Sequence, residues 1–425
     1  MTRYVIIGGS AGAVGAVEAI REIDPIGEII VVNEEPTPAY SRPMIADYLN
    51  REASSEEMLF PSRDFWGKHN VQLCIGKRAV KLDLNKKTVE LEDAESISFD
   101  KLLIATGGKP FIPKMDGVNK RGVYNFTTMF DVQRIKEAID KAHKAVVIGG
   151  GLIGVSATEA LTKHGLKVTI VELKDRILSL ILDREAAKII EKVMQKHGVS
   201  IVTGRIVQRI IGRKENDNVI GGVILDNGAT VECDIVVVAV GVVPRTELAN
   251  QTDLKVNRGI LVDKFMQTNV PDVYACGDVA EAYDFINKTN RVIALWPIAR
   301  IGGRIAGYNM AGHKCEYSGG TAMSALHYFG VPIISVGSTV IDEAEGYETL
   351  VFNYSEANVY RKFVLKDGKI VGFTLVGDVE NAGVFFNLMK NQVRVESFKE
   401  RLVDGTFGWA SLPENLRKQL LWRTC

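Results

Sequence analysis

Apolar residues gather into short unbroken runs punctuated by glycine, with little strict alternation. Tyr4-Val5-Ile6-Ile7 leads directly into Gly8-Gly9-Ser10-Ala11-Gly12-Ala13-Val14-Gly15. A helix-like stretch, Ala16 to Arg21, follows, then Gly27 and a second apolar run, Glu28 to Val32. Strand, glycine turn, helix and strand in that order predict a βαβ unit. The pattern returns at Ala145 to Ile148, with Gly149-Gly150-Gly151-Leu152-Ile153-Gly154, an Ala- and Leu-rich stretch to Leu161, Gly165 and the strand Lys167 to Val171. Each copy also has a distal apolar run ending in glycine. These are Leu102 to Gly107 ahead of Pro110, and Ile235 to Gly241 ahead of Pro244. The predicted class is therefore α/β, with one nucleotide-binding design present twice. Farther on, Val359 to Leu365, the turn Lys366-Asp367-Gly368-Lys369 and Ile370 to Val376 predict a hairpin, and helical patterning resumes near Ala382 to Lys390.

Length and charge narrow the class. At 425 residues the chain exceeds one ordinary core and predicts two or three domains. Lys+Arg and Asp+Glu both count 52, so no global basic field exists for nucleic acid. The longest apolar run, Ile235 to Val243, is about half of what a membrane-spanning helix needs. The apolar start at Tyr4 is too short for a signal peptide and reads as a first strand. A cytoplasmic protein with neither nucleic-acid nor membrane partner is expected. Five cysteines (Cys74, Cys233, Cys276, Cys315, Cys425) form no C-x-x-C pair, so neither a metal site nor a local redox disulfide is expected.

The glycine clusters carry the chemistry. Glycine lets backbone N–H groups approach a pyrophosphate at a helix N-terminus, where the dipole favours negative charge. The first cluster is degenerate, with Ser10 and Ala13 at two glycine positions; Glu34 follows 26 residues after Gly8, with Glu35 beside it, and either carboxylate can accept ribose hydroxyls. The second cluster is a full G-x-G-x-x-G, and Glu172 follows 23 residues after Gly149. A carboxylate there accepts the free 2′-hydroxyl of NADH and repels the 2′-phosphate of NADPH, a preference that Lys174 and Arg176 soften.

Together with Tyr274-Ala275-Cys276-Gly277-Asp278, these features resemble the FAD- and NAD(P)H-dependent pyridine-nucleotide oxidoreductases over essentially the whole chain. Tyr40-Ser41-Arg42-Pro43, Trp296-Pro297 and Arg304-Ile305-Ala306-Gly307 look most like the rubredoxin and ferredoxin reductase branch and the flavin domain of NADH-dependent nitrite reductases. The resemblance implies two Rossmann-like domains and a C-terminal α+β interface domain. Residues 1–110 with 245–316 would form a discontinuous FAD domain, 111–244 the NADH domain and 317–425 the interface domain. It implies FAD on Gly8, Ser10, Ala11 and Gly12, with Glu34, Glu35, Arg42, Pro43, Ala105, Thr106, Gly107, Gly277, Asp278, Trp296 and Ala299 around it. A helix from Ile298 to Asn309 would aim its N-terminus at the flavin. NADH would take Gly149, Gly151, Leu152, Ile153, Gly154, Glu172 and Gly241. No catalytic side chain is required, since the cofactors carry the chemistry.

Two departures matter. The disulfide-reductase branches carry a cysteine pair in the first cofactor-helix region, and the peroxidase, oxidase and coenzyme A-disulfide reductase branches one near positions 42–44. This chain has no such pair, and has Arg42, Pro43 and Met44. Electrons then leave from the flavin itself. A lysine–glutamate pair of the ferredoxin reductase branch aligns with Asp47 and Ser156, so both partners are absent together. The implied function is transfer of electrons from NADH through flavin to rubredoxin or a ferredoxin-type iron–sulfur protein. A peroxide-forming NADH oxidase and a non-turning-over redox sensor stay open as alternatives, as does a homodimer. From Val384 onward seven Lys/Arg face four Asp/Glu, an excess suited to an acidic carrier or to a solvated face. Trp409 and Trp422 read as interface anchors or terminal packing, and Tyr328-Phe329 as core or flavin-edge residues.

Overall fold

The computed structural model describes residues 1–341 and 346–421, with side chains through Lys418; Trp422 and Cys425 lie outside it. In chain order the first repeat contains β1 (Arg3–Ile7), α1 (Ala11–Ile23), β2 (Glu28–Asn33), β3 (Val71–Ile75) and β4 (Lys101–Ile104). The second contains β5 (Lys144–Ile148), α2 (Leu152–Lys163), β6 (Lys167–Glu172), α3 (Arg184–Lys196), β7 (Ser200–Thr203) and β8 (Ile235–Val238). Then come β9 (Val273–Ala275), α4 (Trp296–Met310), β10 (Met323–Tyr328), β11 (Val331–Gly337), β12 (Tyr347–Tyr354), β13 (Val359–Lys366), β14 (Lys369–Val376) and α5 (Ala382–Lys390).

The repeat seen in the sequence is a repeat of topology. The first sheet has the parallel order β9-β4-β1-β2-β3; the second has β8-β5-β6-β7, extended beyond β8 by the short strand Val123–Tyr124. In each, a three-stranded antiparallel sheet forms part of the connection to the distal strand: Ala79–Asp83, Thr88–Leu91 and Ser96–Ser98 in one, Val207–Arg213, Asn216–Leu225 and Thr230–Glu232 in the other. The continuous apolar runs are explained by burial on both faces: Val5, Ile6, Leu102, Val146, Val147 and Val236 are all inaccessible. The run from Ile235 to Val243 is not one strand. β8 stops at Val238, and Val242–Pro244 pairs antiparallel with Gly108–Pro110 instead.

The chain divides into two compact units. The first comprises residues 1–111, 127–133 and 241–321; the second comprises 112–126, 134–240 and 322 onward.

In the first unit α1 lies between its sheet and α4 and is buried almost all round. The two helices cross at glycine: a Cβ on Gly303 would fall on the carbonyl oxygen of Gly12, and one on Gly307 would lie 2.9 Å from Ala16 Cα. This explains the small residues of both helices.

In the second unit the antiparallel sheet β10-β11-β14-β13-β12 packs Phe363 and Phe373 against Phe385 of α5, with ring centroids 4.7 and 5.8 Å apart. Each such buried phenylalanine contributes about 1.5–3 kcal/mol. The β13–β14 hairpin and α5 stand where the sequence pattern placed them. The sheet is also fastened to the α2–α3 region. Ser335 and Thr339 hydroxyls donate to Ile181 O, and Tyr360 and Lys362 both donate to Asp183, the N-cap of α3. Burial alone would raise the Asp183 carboxyl, but these donors and the Ala186 N–H outweigh it and hold it below the usual range.

Candidate functional site

Both cradles are built alike. Gly8 ends β1 with a φ of 112°, and Gly149 ends β5 with a φ of 106°. A Cβ on Gly8 would fall on Ala105 O, and one on Gly149 would fall on Ala239 O, so in each copy the glycine turn presses against the residue just past the distal strand. This contact joins the first glycine cluster to Ala105-Thr106-Gly107. The first helical hydrogen bonds run from Val14 N–H to Ser10 O and from Val155 N–H to Gly151 O. The N–H groups of Ala11 and Gly12, and of Leu152, Ile153 and Gly154, therefore fall in the first turns, where no intrahelical acceptor exists. Ser10 and Gly151 are the N-caps, and neither supplies a side-chain cap. A Cβ on Gly151 would meet nothing within 4 Å, which leaves room for a ligand.

In the first unit the remaining elements converge on this turn. Cys276 Sγ would lie 2.7 Å from a Cβ on Gly12, and Ala299 Cβ 3.1 Å from one on Gly277. Gly277 and Asp278 form a 3-10 turn after β9. Asp278 is half-buried, makes no side-chain hydrogen bond among the described residues, and has its carboxyl raised by desolvation against the opposing pull of Arg42. α4 begins at Trp296, two residues before the predicted start, so the indole sits on the first helical residue and packs edge-on against Phe60 at 4.4 Å. Its Nε1 is buried and has no hydrogen-bond partner among the described residues, and the same holds for Thr37 Oγ1. These unmet groups suit a polar cofactor, so the residues present fit FAD.

The acidic pair separates into two environments. Glu34 is paired with Arg245 and, at 3.8 Å, with Arg78. Glu35 accepts from the Tyr40 hydroxyl at 2.7 Å and from Arg42. Arg42 also donates to Thr127 O at 3.1 Å, and the Tyr40 hydroxyl accepts the Met129 N–H at 2.9 Å. Burial disfavours the Arg42 charge, but Glu35 and Tyr40 restore it. Pro43 is exposed in the same turn. Thr106 donates to Arg245 O at 3.0 Å, and Gly107 O accepts the Arg245 N–H. Asn33 escaped the sequence reading, and Tyr40 entered it only as the first residue of a motif, with no role. Asn33 ends β2 and its side chain lies over Gly9, as Glu172 lies over Gly150 in the second copy. Counting to the last strand residue in both copies would have found it. Tyr40 joins Glu35 to residues 127–129 through a fold-dependent contact that no spacing announces.

In the second unit Glu172 ends β6, accepts the Gly150 N–H on one oxygen and the Lys174 N–H at 2.7 Å on the other. Arg176 is taken by its own loop: it donates to Leu182 O at 3.0 Å, Ser179 O at 3.3 Å and Asp175 at 2.8 Å. Gly241 falls in the first unit, where its carbonyl accepts the Phe111 N–H. Tyr328 is buried and donates to Leu152 O at 2.9 Å, and Phe329 N–H donates to Glu159, so both serve the packing of β10 on α2. Among the described residues, three of the seven C-terminal basic residues are in ion pairs: Lys399 with Glu348, Arg394 with Glu396 and Lys418 with Glu414. Trp409 opens a short 3-10 turn.

The thiols stand apart from this chemistry. Cys74, Cys233, Cys276 and Cys315 are free, and burial pushes the Cys233 and Cys276 thiols up to about 12. Neither is a nucleophile near neutral pH.

Two glycine cradles, each at the carboxyl ends of a parallel sheet, define an oxidoreductase of the two-dinucleotide class. The pyridine nucleotide-disulphide oxidoreductase family matches residues 2–311, and the rubredoxin NAD+ reductase C-terminal domain matches 323–393. The chain belongs to the first of these families. It is 32% identical over 404 residues to the NADH-dependent phenylglyoxylate dehydrogenase subunit epsilon of Aromatoleum evansii, covering 95% of this chain and 94% of that protein. It is 29% identical to the assimilatory nitrate reductase electron transfer subunit of Bacillus subtilis, with 95% of this chain spanning only 51% of that one. The solved NADH:rubredoxin oxidoreductase from Clostridium acetobutylicum superposes with a TM-score of 0.78 at 25% identity, over 95% of this chain and 98% of that one.

Proposed function

We propose that this chain is an NADH-dependent FAD oxidoreductase that passes electrons to rubredoxin or a ferredoxin-type iron–sulfur protein. The observation that carries the reading is the pairing of two dinucleotide cradles with Arg42, Pro43 and Met44 where related branches place a thiol. Bound FAD supplies the conversion between a hydride pair and single electrons. The chain's residues bind and orient. The first-turn N–H groups of α1 and α2 suit the two pyrophosphates, and Glu35, held by Tyr40 and Arg42, is the better placed ribose acceptor, since Glu34 is committed to Arg245. Asp278 offers a carboxylate to polyol hydroxyls, and Trp296 Nε1 offers a donor beside the positive end of α4. NADH is favoured over NADPH because the Glu172 side chain accepts the Gly150 N–H at the nucleotide turn and Arg176 is engaged by its own loop rather than free to balance a 2′-phosphate. Free thiols, with no disulfide among the described residues, suit a reducing compartment such as the cytoplasm. No described helix is long and apolar enough to cross a membrane.

The test is anaerobic mixing of NADH with the flavin-loaded protein. Flavin absorbance is expected to bleach within seconds, and rubredoxin or ferredoxin to restore it faster than oxygen does. A flavin that stays oxidised under NADH would refute the reading.

A further inference from the structure

The segment that joins β6 to α3 grips the second glycine turn from two sides. At its start Glu172 accepts the Gly150 N–H, and farther along the Leu178 N–H donates to Gly150 O at 2.7 Å. The carbonyl of Gly150 and the N–H of Gly151 belong to one planar trans peptide and point in opposite directions. Holding that carbonyl therefore fixes the direction of the Gly151 N–H and the entry of the chain into α2, whose N-cap is Gly151.

Leu178 reaches this bond in a disfavoured conformation. Its φ is 50°, in the left-handed region that a Cβ resists, and its side chain is buried. A residue so placed persists only where its surroundings over-determine it. Here they include the C-terminal sheet. The Ile181 and Leu182 N–H groups both donate to Leu178 O at 2.9 Å, which closes a turn. The far side of that turn is tied down: Ile181 O accepts the Ser335 and Thr339 hydroxyls at 2.9 and 3.1 Å, and Asp183 accepts Tyr360 and Lys362 at 2.7 and 2.9 Å. Ser335 and Lys362 both stand opposite Thr374, and Tyr360 lies two positions along the strand from Lys362, so these donors share one face of the sheet. Ser335, Thr339 and Lys362 are buried. Buried polar groups are unfavourable unless bonded, and these bond to residues 181 and 183.

We propose that Ser335, Thr339, Tyr360 and Lys362 are positioning residues for NADH. By anchoring residues 181–183 they hold Leu178 in its left-handed conformation, and Leu178 in turn sets the Gly150–Gly151 peptide at the turn that receives the NADH pyrophosphate. The inference rests on the second cradle being the NADH site, and it gives the C-terminal sheet a part in nucleotide binding.

Two substitutions at Leu178 separate backbone from packing. Leu178→Gly keeps the N–H and accepts a positive φ, but removes the whole side chain. Leu178→Val keeps more of the volume, but its β-branch resists a positive φ. Anaerobic stopped-flow reduction of the full-length, flavin-loaded protein, followed against NADH concentration, reads the dissociation constant and the limiting rate separately. Leu178→Val is expected to raise the dissociation constant about 5-fold, the worth of one neutral hydrogen bond, and Leu178→Gly to raise it less. A side chain that only packs would give the reverse order. Ser335→Ala combined with Thr339→Val frees Ile181 O and is expected to weaken NADH by a similar factor while the limiting rate holds within about twofold. Flavin content and a cooperative melt report folding, and the Leu178 pair decides alone where the double variant does not fold. A wild-type flavin that NADH fails to reduce would refute the cradle assignment, and this inference with it. With the wild type active, Leu178→Gly binding NADH more weakly than Leu178→Val would overturn this inference alone. So would a folded double variant with wild-type affinity.

Discussion

Replacing Glu172 by glutamine removes a charge and keeps the shape. In the structure both carboxylate oxygens already accept backbone N–H groups, Gly150 on one and Lys174 on the other. Glutamine retains one acceptor and turns a donor toward the other N–H, so part of the cost falls on the loop that begins at Leu173. On the proposed role, bonds from ribose hydroxyls to a carboxylate are worth about 1.5–3 kcal/mol, and neutral ones about 1 kcal/mol. NADH should therefore bind about 2- to 30-fold more weakly. For NADPH the same change relieves a repulsion of about 1 kcal/mol in water, rising to about 4 kcal/mol at an effective dielectric of 20 and 4 Å separation. Because Glu172 is only half-buried, the low end applies, and the NADH-to-NADPH preference should fall at least about 10-fold. Anaerobic stopped-flow reduction of the flavin by each nucleotide separates binding from hydride transfer. An unchanged ratio would refute the role. NADH affinity lost with no gain for NADPH would show instead that Glu172 serves only to hold its loop.

The other predictions concern stability. Asp183→Ala strands the mostly buried Lys362 and removes the cap of α3, so β13 amides should exchange as if about 3 kcal/mol were lost; adding Lys362→Met should recover most of it. Because the folded Asp183 carboxyl lies below its unfolded value, its stabilisation is present above the unfolded pKa and disappears as pH falls through the folded one. Wild type and Asp183→Ala should therefore converge in stability in acid, and a pH-independent gap would count against the assignment. Gly303→Val drives a side chain onto Gly12 O at the α1–α4 crossing, so the variant should be purified with little flavin, read from the ratio of flavin to protein absorbance. Normal flavin content would show that the crossing yields.

Local chemistry made the cradles legible. Glycine where Cβ cannot fit, an apolar run buried on both faces and an acid at the strand end are short-range requirements, and they appear in order at 4–34 and 145–172. The hairpin 359–376 was legible for the same reason. What the chain order hid was set by contacts between distant segments. Only the fold shows that Glu34 belongs to Arg245, 211 residues away, which leaves Glu35 to Tyr40 and Arg42. Only the fold shows Arg176 engaged by its own loop and Tyr328 fastened to α2. Hydrophobic pattern and backbone sterics act on near neighbours and are written in the sequence. The partner of a charge depends on which surfaces the packed sheets bring together, and that was decided by tertiary structure.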